Sequence, residues 1–116
     1  MKITRYADAK HYVAPKHYDM RSMRLQGFED GGPENFWTGL SHFLPGGGAE
    51  MDDSPIEKVY VVLAGTVSVS TAEGEIELGY MDSCCIASGE NRAVKNNGNT
   101  VATMLVIMPY TSKVTT

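Results

Sequence analysis

Between Pro45 and Gly65 the chain reads PGGGAEMDDSPIEKVYVVLAG, a glycine-dense segment, an acidic polar link and a β-branched and aromatic run closed by glycine. Glycine and proline punctuate the backbone, whereas Val and Tyr pack well on a pleated surface, so the stretch predicts a loop followed by a strand over Glu57–Ala64. The flanking sequence keeps the same rhythm. Asp19–Gln26 and Phe36–Leu44 alternate as strands around the turn-rich Gly27–Asn35. Thr66–Ser70 and Glu75–Leu78 form a hairpin about Ala72–Gly74, and Ser83–Ala87 and Arg92–Lys95 follow. Asn96, Asn97 and Gly98 predict a hairpin into a last strand over Thr100–Met108. Many short strands without a helical period indicate an all-β sandwich or barrel. An immunoglobulin-like sandwich is disfavoured, because its Cys, Trp, Cys spacing is missing.

A chain of 116 residues, 42% of them hydrophobic, suits one domain with a modest core. We expect an N-terminal arm over residues 1–18, a barrel over 19–110 and a C-terminal tail over 111–116. A net charge of −4 excludes a nucleic-acid or anionic-membrane surface as the expected partner. The partners expected are a small molecule and a second copy in a homodimer, because Tyr12, Val13, Pro15 and Tyr18 give the arm apolar surface. The start MKITRYADAKHY lacks the apolar core of a signal peptide, so a cytoplasmic location is expected. Adjacent Cys84 and Cys85 point to opposite faces of a strand, cannot bridge each other in the ordinary way, and read as small buried hydrophobes.

The stretch from Gly46 to Gly65 resembles the first motif of the cupins: Gly, five residues, His-x-His, three or four residues, Glu, six residues, Gly. The glycines match at Gly46 and Gly65, but the two histidine positions hold Asp52 and Ser54 and the glutamate position holds Lys58. In MDSCCIASGENRAVKN the second motif keeps Gly89 and Asn96, with Met81 at its first glycine, Ala87 at its proline and Arg92 at its histidine. The resemblance implies a small double-stranded β-helix, a jelly-roll barrel of antiparallel strands. Cupins that bind a divalent ion do so through the four positions occupied here by Asp52, Ser54, Lys58 and Arg92. A protonated lysine and an arginine offer no lone pair to a metal, and they repel one. We therefore expect no metal and no other cofactor.

Those positions line the cavity in this fold, which makes Arg92, Lys58, Asp52 and Ser54 the expected substrate-binding residues and a carboxylate-bearing molecule the expected ligand. The alternative is that Lys58 pairs with Asp52 and side chains fill the barrel. Tyr60 shares a strand face with Lys58 and is a catalytic candidate beside it, since a nearby cation lowers a phenol pKa; the alternative for Tyr60 is packing. If Phe36, Leu40 and Leu44 face inward, His42 does too and becomes the general-base candidate. Glu57 falls on the outer face, while His11 and His17 in the arm read as solvated, the alternative being that with Tyr18 they line a pocket mouth.

Two functions follow. One is a metal-independent enzyme of the lyase, isomerase or decarboxylase type, with Lys58 and Arg92 holding a small anionic metabolite while His42 or Tyr60 moves a proton. The other is a non-catalytic cupin that binds or senses a ligand. A metal enzyme with ligands drawn from His42, Asp52, His17 and Glu57 would require both cations to turn away.

Overall fold

Strand β3, Phe36–Asp52, is the longest element, and the rest of the chain is laid along it. The computed structural model describes residues 1–110, apart from the side chain of residue 30, so the tail expected over 111–116 lies outside the described residues. Before β3 come the short β1, Lys10–Tyr12, and β2, His17–Gln26. After it come β4 Lys58–Ala64, β5 Val67–Thr71, β6 Gly74–Leu78, β7 Ser83–Ile86, β8 Arg92–Lys95 and β9 Ala102–Pro109. All pairings are antiparallel. The order is β6-β5-β8-β3-β9-β4-β7, with β1 and β2 added beside β3, and the sheet curls almost into a closed barrel.

The glycine-dense segment is not a loop, as the sequence suggested. Gly46, Gly47 and Gly48 lie inside β3, at the point where it leaves β9 and joins β8. Its first half pairs with β9 from Phe36 to Phe43, and beyond the glycines Gly48 and Ala49 pair with Lys95 and Val94. A Cβ on Gly48 would sit on the Val94 carbonyl oxygen, and one on Gly47 would sit on the Asp19 carbonyl oxygen. The backbones approach too closely there for any side chain.

The Asn96-Asn97-Gly98 hairpin is a second correction, since β8 pairs with β3 and β5 whereas β9 pairs with β3 and β4. Asn96 instead ties down the point where β3 passes from β9 to β8. Its buried Nδ2 donates to the carbonyls of Phe43 (2.9 Å) and Thr100 (2.8 Å), while its backbone N–H donates to Gly47 O and its carbonyl accepts from Gly46 N.

The barrel core gathers Phe43, Tyr60, Val62, Val67, Val69, Ile86, Val94, Met104 and Val106. A smaller core of Ala9, Met23 and Leu40, with Leu25 against it, lies outside the barrel wall. This outer core reverses the expected face of β3: Leu40 is buried by the N-terminal segment, while Trp37, Ser41 and Phe43 point into the barrel. Cys84 is half-buried against the core and Cys85 is exposed, so only one of the two behaves as a packed hydrophobe.

Met81, at the position of the second motif's first glycine, has φ 65°, a left-handed conformation that glycine adopts freely. Its side chain is exposed, so it gains little from packing. Met81→Gly is expected to stabilise the fold by about 0.5–1 kcal/mol, the relief of left-handed strain less glycine's greater freedom when unfolded. Urea denaturation should show a raised midpoint for Met81→Gly and none for Met81→Ala, which keeps the strain.

Candidate functional site

Lys58 and Tyr60 occupy alternate positions on β4 and so share its inward face; Arg92 enters from the start of β8, and Asp52 lies at the end of β3. These residues, with Ser54, line one cavity of about 320 Å³. Trp37, Phe43, Val94, Met104, Val106 and Met108 form its apolar wall, and the β1–β2 turn at Val13, Ala14 and Pro15 borders it. The barrel is open, so the filled-barrel alternative fails, as does pairing of Lys58 with Asp52. Asp52 Oδ1 accepts from Lys16 Nζ at 3.1 Å, and that contact holds its carboxyl below the usual range.

Lys58 and Arg92 are 4% and 7% exposed, two cations facing the same enclosed space. Arg92 Nε donates to Tyr60 Oη at 2.7 Å and Nη1 donates to the Glu50 carbonyl at 3.1 Å, both neutral acceptors. No hydrogen bond or ion pair holds the Lys58 ammonium among the described residues. Burial lowers the Lys58 pKa, and repulsion from Arg92 lowers it further against the pull of Asp52. Burial raises the Tyr60 pKa, and Arg92 draws it partly back through charge and hydrogen bond. Tyr60 is therefore a neutral phenol whose oxygen accepts from Arg92, which leaves its own proton free to donate.

Ser54 belongs to the frame of the site. Its Oγ accepts from Ile56 N at 3.1 Å and its carbonyl accepts from Gly89 N at 2.6 Å, which fixes the link into β4.

His42 is not inside. It faces the outer side of β3, where Nδ1 meets Thr103 Oγ1 at 3.0 Å and Nε2 meets Tyr6 Oη at 2.9 Å, so it is absent from the cavity wall. The histidine that lines the cavity is His17, which the sequence placed in the arm, in solvent or at a pocket mouth; the structure has it on the cavity wall. Its Nδ1 lies 2.8 Å from the Pro15 carbonyl oxygen. A carbonyl only accepts, so Nδ1 carries the proton and Nε2 carries the lone pair. Burial lowers the His17 pKa most; Arg92 and Lys58 lower it further, while the Pro15 bond and Asp52 oppose them.

His17 escaped the sequence because the alternation of β2 is broken. Asp19 has φ 49° and the register slips between Tyr18 and Met20, so His17 and Ser22 both reach the cavity although one is odd and the other even. Arg24 was also missed. Its guanidinium stacks 3.8 Å from the Tyr12 ring centroid and 4.1 Å from that of Phe28, with Trp37 at 4.8 Å, and so steadies two aromatics of the cavity wall.

The divalent ion of metal-binding cupins does not fit this donor set. Two of its four positions are cations, a third is a serine engaged in a turn, and the one carboxylate is held by Lys16. Among the described residues no three His, Cys, Asp or Glu side chains gather into another metal-binding group, and no helix is long and apolar enough to cross a membrane.

No family model matches the chain. A Mycobacterium tuberculosis protein named beta-D-galactosidase is 44% identical over 110 residues, 95% of either chain. Among solved structures, the polyketide cyclase RemF from Streptomyces resistomycificus superposes with a TM-score of 0.83 at 20% identity, over 94% of this chain and 79% of that one. An RmlC-like cupin from Shewanella frigidimarina superposes with a TM-score of 0.78 at 11% identity, over 100% of this chain and 96% of that one. At such identities the two structures speak for the fold alone.

Proposed function

Because the chain belongs to the cupin superfamily and to one family with the mycobacterial beta-D-galactosidase, we propose that it is an enzyme whose barrel cavity hydrolyses β-D-galactosides. The observation that carries this reading is the two-sided cavity, apolar along Trp37, Phe43 and Met104 and polar at His17, Lys58, Tyr60 and Arg92. A pyranose has the same division between its C–H face and its hydroxyl edge. At about 320 Å³ the space lies at the lower end for ligand sites, which favours a small glycoside over a polymer chain.

Hydrolysis needs a proton on the departing glycosidic oxygen and a base for the attacking water. Most glycosidases use two carboxylates; among the described residues Asp52 is the one carboxylate lining the cavity, and it is paired with Lys16. Tyr60 is the acid in our reading. Its hydroxyl proton passes to the leaving oxygen as the bond from C1 to that oxygen breaks, and Arg92 and Lys58 stabilise the phenolate formed. Water adds to C1 and gives its proton to His17 Nε2. Transfer of the proton now on His17 to the Tyr60 phenolate, directly or through solvent, restores both groups for the next turnover.

The test uses two leaving groups. A nitrophenyl β-D-galactoside departs without an acid, whereas an alkyl β-D-galactoside needs one. Tyr60→Phe should therefore lower kcat by about a hundredfold or more on the alkyl substrate and much less on the nitrophenyl one. Equal losses would remove Tyr60 from the acid role. Dialysis against a chelator should leave the parent rate unchanged, as a metal-independent site requires; loss of activity restored by a divalent ion would contradict this.

The cation pair favours a second reading, an isomerase or lyase that moves a proton on a small anionic metabolite, since Lys58 and Arg92 would stabilise an enolate. A non-catalytic binder would use the same cavity without turnover. Galactose release from a galactoside separates hydrolysis from both. The free thiols of Cys84 and Cys85 support work in a reducing compartment such as the cytoplasm.

A further inference from the structure

We propose that the galactoside taken by this cavity is an acidic one, bearing a carboxylate that Lys58 and Arg92 hold together. The inference rests on the galactoside reading above and adds the charge of the substrate. The whole chain carries a net charge of −4, yet its cavity concentrates positive charge. Lys58 and Arg92 are both more than nine-tenths buried, and His17, the third basic group on the wall, is driven towards its neutral form. The carboxylate nearest to them, Asp52, is already bonded to Lys16. The bonds that Arg92 makes go to a phenol and a backbone carbonyl, which satisfy its donors without compensating its charge.

Two buried like charges repel each other and lose hydration, and hydroxyl oxygens of a neutral sugar would restore only part of that loss. A carboxylate restores more. It presents two acceptor oxygens to an ammonium and a guanidinium at once, in charge-assisted hydrogen bonds, and leaves the single Tyr60 O–H for the glycosidic oxygen. The apolar wall is left for the sugar's C–H face. The carboxylate can belong to the sugar, as in a galacturonide, or to the aglycone; both supply the same chemistry to the two cations.

The experiment measures binding and hydrolysis of three methyl or aryl glycosides by the parent, Lys58→Met and Arg92→Gln. The ligands are a neutral β-D-galactoside, a β-D-galacturonide, and a β-D-galactoside with a carboxyphenyl aglycone. One acidic ligand should bind the parent about ten- to a hundredfold more tightly than the neutral one, and which of the two does so locates the carboxylate. Lys58→Met, which keeps most of the side-chain volume, should lose most of that preference while melting as a folded protein, and Arg92→Gln should lose it as well if it folds. Equal binding of neutral and acidic ligands by the parent overturns the proposal, as does a preference that survives in Lys58→Met. Hydrolysis of the neutral galactoside with no acidic preference overturns this inference and leaves the galactoside reading standing. Failure to bind or hydrolyse any of the three overturns both.

Discussion

Gly48→Val is expected to abolish the folded state, at a cost above about 4 kcal/mol, the range reserved for changes that break a fold's framework. Gly48 pairs with Lys95 on one side and Tyr18 on the other, so both edges of β3 are occupied where it passes from β9 to β8. The atom that a Cβ would strike is the Val94 carbonyl oxygen, part of β8, which is itself paired to β5. No flexible side chain can yield. The barrel must open along the β3–β8 seam, and Asp52 and Arg92, which face each other across that seam, separate with it. Circular dichroism should show the variant unfolded under conditions where the parent is native. A variant within about 1 kcal/mol of the parent would show that this point of β3 tolerates a side chain.

The second large effect concerns His17. As the base in the proposed reaction, its replacement by asparagine should lower kcat by about 10²–10⁴-fold, whereas His42→Asn, on the outer face, should change kcat by less than about twofold. The pH profile carries the sign of the shift. Burial and the two cations lower the His17 pKa from 6.5, so the basic form prevails already below that value. The rate should rise through a midpoint under 6.5 and be level through neutrality, and the rise should vanish in His17→Asn. Stability follows the same group. Above pH 6.5 the ring is neutral in both folded and unfolded chains; as the pH falls below 6.5 the unfolded chain takes the proton first, so this group lowers stability progressively down to the folded pKa. Full activity in His17→Asn, or a loss confined to His42→Asn, would contradict the assignment.

Strand existence was legible in the sequence because alternation and β-branched content agree over most segments, and Lys58 and Tyr60 on one face followed from their spacing of two. Arg92 came from its place in the second motif. What could not be read depends on contacts between distant segments. The inner face of β3 departs from the sequence pattern because Leu40 is buried by Ala9 and Met23 outside the barrel, while small Ser41 lines the cavity and Gly39 makes way for the Trp37 and Tyr12 side chains. His17 was hidden by the irregularity at Asp19, which shifts the alternation of β2. Asn96 looked like turn chemistry, and the structure uses its amide to tie two other segments, a role that no local pattern reveals.

The measurement that bears most directly on the cavity as a galactoside-cleaving site is galactose release from an alkyl β-D-galactoside by the parent and by Lys58→Met, with folding of both checked by thermal melting. The account predicts release by the parent, little or none from the α-anomer, and a loss of at least about tenfold in kcat/KM for Lys58→Met with the fold retained. No release by the parent, or an undiminished rate in Lys58→Met, would contradict it.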